Sequence, residues 1–208
     1  MPPDPADPTP ARVVVLAGPS GVGKSRLSAQ TGLPVLRLDD FYRSGDDPAL
    51  PRIEHGANAG LVDWDDPGSW HHDEAVRAIC ELAGTGRTRA PIYDIARNGP
   101  SGSRDVELGG ARLFVAEGIF AHEVVTACRD AGVLAAALCL SQHPLVTFWR
   151  RLTRDLREHR KPPLVLVRRG WALMRDQRRV IADAQALGCE VMSVAEAQKR
   201  IRTLADAP

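Results

Sequence analysis

The run "RVVVLAGPSGVGKSRL", residues 12 to 27, constrains this chain more than any other stretch. An apolar, β-branched segment is followed at once by glycines, a lysine and a serine, and then by a helix-forming segment. A buried strand must turn sharply at Gly18 and restart as a helix at Lys24. Gly18, Gly23, Lys24 and Ser25 hold the fixed positions of G-x-x-x-x-G-K-[S/T]. In that pattern the backbone from Gly18 through Pro19, Ser20, Gly21, Val22 and Gly23 wraps a phosphate, and the helix start adds a positive dipole end. Lys24 reaches the β- and γ-phosphates, and Ser25 ligates Mg²⁺. The strand before and the helix after are the context the pattern requires, which separates it from a plain turn. ATP and Mg²⁺ are the expected cofactors.

Composition narrows the setting. The chain has 208 residues, 44% hydrophobic and 25% charged, with a formal net charge of +1. That length supports one sizeable domain rather than two. The charge balance gives no reason to expect nucleic acid or an anionic membrane as partner. Cys80, Cys128, Cys139 and Cys189 are scattered without metal-ligand spacing and read as reduced thiols, mostly buried. No apolar run approaches the ~20 residues of a transmembrane helix, and "MPPDPADPTP" has no signal-peptide pattern. A cytoplasmic protein is the expectation, with residues 1–10 a disordered tail and 11–208 a single domain.

Strands and helices alternate along the chain. Arg12–Ala17 reads as a strand and Lys24–Gln30 as a helix. "LPVLRL" reads as a second strand ending at Asp39 and lying beside the first. Residues 39–74 form a long, acidic, turn-rich insertion, of a length that points to function. A helix is expected over Asp73–Leu82 with Gly84 at its end, then a short strand in "RAPIY". "ARLFVAEGIF" gives a buried strand stopping at Glu117, and "VLAAALCL", strand or helix by composition, reads as a strand from its position after a short helix. Basic helices at His143–His159 and about 170–187, a short strand "CEVMS" and a last helix close the chain. This order predicts an α/β fold with a mainly parallel sheet covered by helices on both faces.

Six stretches, "GPSGVGKS", "LDDFYR", "VDWDDPGSW", "PIYD", "VAEGIF" and "RRLTRDLREHRK", occur in that order between about residue 12 and residue 161. In them the chain resembles the uridine kinase family, within the wider group that includes phosphoribulokinase and bacterial pantothenate kinase. The resemblance implies a P-loop NTPase fold with a basic helical lid at about 143–163. It implies transfer of the ATP γ-phosphoryl to the 5′-hydroxyl of a small-molecule substrate, uridine or cytidine. By that alignment Asp39 is the catalytic base, and its neighbour Asp40 reads as a solvated turn acid. Asp65 would hold ribose hydroxyls, while Asp63 and Asp66 read as turn acids. Tyr42 and Tyr93 align with aromatics near the nucleoside, the alternative being core tyrosines. Glu117 would join Ser25 at Mg²⁺, and Gly118 would let the backbone pass close to the phosphates. Arg151 and Arg154 share a helix face and match the lid arginines, where they would bind ATP and substrate and stabilise the transferring group.

The chain departs from the family in places. Asn98 stands where a base-contacting histidine is usual, although an asparagine can still donate and accept at a pyrimidine edge. Ile95 stands where an aromatic is usual, and His159 and Lys161 replace arginines. Two alternatives therefore stay open. One is a kinase of the same architecture acting on another small alcohol, pantothenate-like or a sugar. The other is a nucleotide-binding regulatory protein without turnover. Oligomeric state is likewise open, a homo-oligomer included.

Overall fold

The computed structural model describes residues 10–56, 58–142 and 178–207. A sheet of five parallel strands forms the centre: β1 (Arg12–Ala17), β2 (Val35–Arg37), β5 (Leu113–Glu117), β6 (Leu134–Leu140) and β7 (Glu190–Met192), in the spatial order β2-β5-β1-β6-β7. β1 has a neighbour on each edge and a helical layer over each face, so it is apolar without alternation and its last five residues are all buried. Its alternate side chains divide the core. Val13, Val15 and Ala17 face α2 (His72–Thr85) and α3 (Val125–Asp130), with Ala184 of α4 (residues 178–186) in the same cluster. Val14 and Leu16 face α1 (Lys24–Thr31) and α5 (Val194–Ala205), which contribute Leu27, Ala197 and Ile201. The α/β architecture expected from the sequence is the one observed.

Four local expectations change. β2 does not lie beside β1: β5 is inserted between them. Asp39 is not on a strand either, because β2 gives way to a 3₁₀ turn over Leu38–Phe41. The second helix runs on to Thr85, and its left-handed C-cap is Gly86, with Gly84 inside the last turn. "RAPIY" belongs to an eight-residue strand, β3 (Arg87–Asp94), paired antiparallel with β4 (Gly99–Glu107) in a separate two-stranded sheet. β4 reads "GPSGSRDVE", a sequence of low strand propensity. Its pairing is supported by opposite charges directly across the ladder, Arg87 facing Glu107 and Arg89 facing Asp105. Thr88, Ala90 and Val106 are buried, the two apolar ones against α2 in the core.

The free thiols follow the sequence reading. Cys128, Cys139 and Cys189 are buried, and burial pushes their pKa values up to about 12, 11 and 12. Such thiols are poor nucleophiles. No helix among the described residues is long and apolar enough to cross a membrane.

Packing of α5 on the sheet can be checked by a cavity. Ile201 is 1% exposed and sits with Leu16, Leu27 and Leu138. Ile201→Ala is expected to cost about 2–5 kcal/mol of unfolding free energy in urea titration.

Candidate active site

Every strand of the parallel sheet points its C-terminal end the same way, and the candidate residues gather at that edge. β1 ends at Ala17 and the chain enters the loop through Gly18, Gly21 and Gly23, all at positive φ (139°, 84° and 111°). Gly18 is forced by close approach as well, since a Cβ there would lie 2.8 Å from the carbonyl oxygen of Leu140 on β6. α1 starts with no side chain capping it, so its first amides face the loop. Lys24 is 7% exposed, and its Nζ donates to the carbonyls of Gly18 (2.7 Å) and Pro19 (3.4 Å). The ammonium is thus already held over the mouth of the loop that it would share with a phosphate.

Parallel pairing of β1 with β5 places Leu16 opposite Glu117. Ser25 Oγ donates to Glu117 Oε1 at 2.9 Å, which joins the helix start to the strand end. Glu117 is 3% exposed, and its Oε2 is buried without a hydrogen-bond partner among the described residues. Burial pushes its carboxyl above the usual carboxylate range, opposed by the nearby Lys24 ammonium and reinforced by the Asp39 carboxylate. A buried carboxylate oxygen with unused lone pairs, next to a hydroxyl, is the donor type a hard divalent cation takes. The residues fit Mg²⁺ in that sense. Among the described residues no larger cluster of His, Cys, Asp or Glu is assembled for a metal.

Asp39 joins the same group from the 3₁₀ turn that follows β2. Its Oδ1 accepts from the backbone N–H of Ile119 at 2.8 Å. Gly118 makes this approach possible, because a Cβ there would lie 2.9 Å from Asp39 Oδ1 and 3.0 Å from Leu38 Cβ. The glycine expected to pass close to phosphates is explained here by contact with the aspartate turn.

An aromatic wall stands beside Asp39. Tyr42 lies 5.9 Å from Trp64, 5.7 Å from Tyr93 and 5.9 Å from Phe120, centroid to centroid, and Trp64 lies 6.4 Å from Tyr93. These are the spacings of tilted and edge-to-face pairs. The Tyr42 hydroxyl donates to the Trp64 carbonyl at 3.2 Å, and burial pushes the Tyr93 phenol up. Both tyrosines are half-buried, and Tyr42 also packs against the core beneath the wall. Trp64 and Phe120 were not singled out from sequence, although they lie inside "VDWDDPGSW" and "VAEGIF". Trp70 anchors the wall from behind, its indole N–H donating to the Leu38 carbonyl at 2.7 Å.

The remaining sequence candidates are placed unevenly. Asp65 is exposed next to Trp64, with its backbone N–H held by Asp63 Oδ1 at 3.1 Å. Asp66 accepts from the Gly68 N–H at 2.7 Å, the turn role expected of it. Asn98 is a turn residue of the β3–β4 hairpin at φ 49°, exposed, with its carbonyl accepting from the Gly45 N–H at 2.6 Å. Left-handed geometry alone accounts for an asparagine there. Asp40 contradicts its expected role as a solvated turn acid. It is buried and ion-paired to Arg104, 3.0 Å away on β4, because the unforeseen hairpin covers it. Arg151, Arg154 and the 143–163 lid lie outside the described residues.

Fold and loop together define an α/β protein of the P-loop NTPase type. A Silicibacter sp. protein named as a fructose transport system kinase has the same fold, with a TM-score of 0.59 at 22% identity over 91% of this chain and 90% of that one. Uridine kinase from Saccharomyces cerevisiae is 28% identical over 116 residues, 52% of this chain but only 22% of the yeast protein's length. A Bacillus stearothermophilus protein described as a possible uridine kinase superimposes with a TM-score of 0.45 at 17% identity, covering 70% of this chain and 79% of that one. No family model matches the chain. The resemblance drawn from the motifs thus has a counterpart in sequence similarity to yeast uridine kinase over about half of this chain.

The raised Glu117 pKa has a definite sign. Between the ordinary value of 4.5 and its raised value in the fold, the unfolded chain has lost the proton and the native one keeps it. Stability contributed by this group therefore falls as pH rises through that window. Glu117→Gln is expected to remove the fall, so that urea unfolding finds the variant gaining on the parent from pH 4.5 towards neutrality. The same variant is expected to weaken Mg²⁺-dependent ATP binding by about 10- to 100-fold in calorimetry, the scale of loss at perturbed metal sites.

Proposed function

We propose that this protein transfers the γ-phosphoryl group of Mg-ATP to the 5′-hydroxyl of a nucleoside, uridine or cytidine. One observation carries the reading: Asp39 and the Lys24–Ser25–Glu117 group meet at one sheet edge, with an aromatic wall adjoining Asp39. Neither a switch nor a motor needs such a wall beside its phosphate loop; an enzyme with a flat, partly apolar acceptor does. The similarity to yeast uridine kinase supports the same choice.

The loop amides and Lys24 would hold the triphosphate and oppose its charge. Asp39, fixed through the Ile119 amide, would take the proton of the acceptor hydroxyl as that oxygen bonds to the γ-phosphorus. The bond from phosphorus to the bridging oxygen breaks, and ADP leaves. Ser25 and Glu117 would hold Mg²⁺, which when bound neutralises charge on the β- and γ-oxygens. Tyr42, Trp64 and Tyr93 would stack against the base, Asp65 would accept from ribose hydroxyls, and Arg151 and Arg154 would close over the transferred group. A closed site matters because water at the γ-phosphoryl would hydrolyse ATP unproductively.

A kinase acting on another small alcohol is the second reading. The exposed turn position of Asn98, where uridine kinases usually place a base-contacting histidine, favours it. ADP release measured with uridine, cytidine, adenosine, pantothenate, ribulose 5-phosphate and no acceptor separates the two. Stimulation by uridine and cytidine is expected; stimulation by another alcohol alone would keep the kinase and discard the nucleoside. Binding of ATP with no stimulated turnover would favour a regulatory nucleotide-binding protein. Asp39→Asn is expected to lower kcat by about 10²–10⁴-fold while ATP affinity is kept, the scale of a lost general base.

A further inference from the structure

Asp40 stands next to the proposed base and has no task in the reaction. It is nonetheless a charged side chain with 4% exposure, a placement that is costly unless the charge is paired. Its Oδ2 accepts from Arg104 Nη2 at 3.0 Å, with Arg37 Nε 3.9 Å away, and its Oδ1 accepts from the Tyr93 backbone N–H at 3.5 Å. Tyr93 belongs to β3 and Arg104 to β4, so one carboxylate is bonded to both strands of the hairpin. Asp39, one residue earlier, bonds instead to the Ile119 amide just past β5. Neighbours in a 3₁₀ turn are a third of a turn apart, which lets the two acids bond to different bodies. The Leu38–Phe41 turn is therefore fastened to the parallel sheet through Asp39 and to the hairpin through Asp40.

That arrangement bears on the acceptor pocket. Tyr93 supplies part of the aromatic wall, 5.7 Å from Tyr42 and 6.4 Å from Trp64, and it rides on the hairpin. The hairpin is not part of the parallel sheet. We propose that the Asp40–Arg104 ion pair is a strap that fixes the separation between Asp39 and the Tyr93 side of the wall, and so sets the size of acceptor the site takes. The proposal rests on reading Asp39 and the wall as the acceptor site. Both residues are positioning residues, acting through Tyr93 and the turn.

The side chain of Arg104 is 33% exposed, so loss of its partner leaves the guanidinium in reach of water. Asp40→Asn is therefore a mild variant of the full chain; Arg104→Gln cuts the same pair from the other side. Two readouts are needed. Hydrogen exchange of the unliganded proteins is expected to quicken at residues 87–107 in both variants and to stay unchanged in β1 and β5. In turnover at saturating Mg-ATP, the uridine KM is expected to rise about tenfold with kcat and ATP affinity held within about threefold. The kcat/KM for adenosine relative to uridine is expected to rise by about tenfold, as a widened pocket discriminates less by size. The double variant should be no worse than the poorer single one. Arg104→Lys, which keeps the charge and loses the planar fork, should fall between parent and Arg104→Gln, and carries the comparison if Asp40→Asn fails to fold.

Unchanged exchange in the hairpin together with an unchanged uridine KM would overturn the strap. So would exchange rising equally in every element with no shift in the adenosine-to-uridine ratio, since that is loss of stability alone. If the parent protein phosphorylates no acceptor, the proposed function falls and the control of acceptor size falls with it, while exchange confined to the hairpin would still uphold the ion pair as the fastening between turn and hairpin.

Discussion

Parallel pairing of β1 with β5 sets Leu16 opposite Glu117, so the two central strands end at the same height and release their chains side by side. The phosphate loop leaves one strand, Glu117 closes the other, and Ser25 reaches across to bond it. A slip of one residue in this register would turn Glu117 to the opposite face of the sheet and separate it from Ser25. The register is held by apolar side chains on both faces, Val14, Leu16 and Val115 on one and Val13, Val15 and Phe114 on the other. The chemistry of the edge is thus anchored by the packing of the core.

The tension at this edge is electrostatic. Glu117, Asp39 and Asp40 put three carboxylates at this edge, and Glu117 and Asp40 are buried. Each is answered differently. Lys24 and the Ser25 hydroxyl oppose the charge of Glu117, the Ile119 amide holds Asp39, and Arg104 with Arg37 neutralises Asp40. The answer at Glu117 is incomplete, since one buried oxygen has no partner among the described residues and burial lifts its pKa. Incomplete satisfaction is costly for a folded protein and useful for a binding site, because a cation entering there gains what the fold lacks.

Much of this was legible in the sequence where local chemistry dictates local shape. The run from Arg12 to Thr31 has one sensible fold, since an apolar strand, positive-φ glycines and a helix start follow one another directly. The strand endings at Glu117 and at Leu140 were also readable, because apolar runs stop there abruptly. What escaped was set by distant partners. β4 has the composition of a loop and becomes a strand through its pairing with β3. Asp40 reads as a turn acid from its own neighbourhood and is buried by Arg104, 64 residues further on. The place of β5 between β1 and β2 is topology, which order along the chain does not encode.

The uneven legibility follows from how the two halves of the site bind. Phosphate is held chiefly by backbone amides and a helix end, and backbone geometry demands glycines at fixed spacing; such a site writes itself into the sequence. In the proposed site an acceptor would be held by side chains brought in from separate elements: Tyr42 and Trp64 from the long insertion, Tyr93 from the hairpin, Phe120 from the turn after β5. Their spacing is fixed by contacts such as the Asp40–Arg104 pair and the Trp70–Leu38 hydrogen bond, which leave no local pattern. A chain can therefore keep its phosphate loop while its acceptor pocket is rebuilt, and the exposed turn at Asn98 is where this one departs from the family pattern. On the proposed reading, substrate choice would reside in the hairpin and the insertion, and the sheet that carries the P-loop would constrain it only through Asp39.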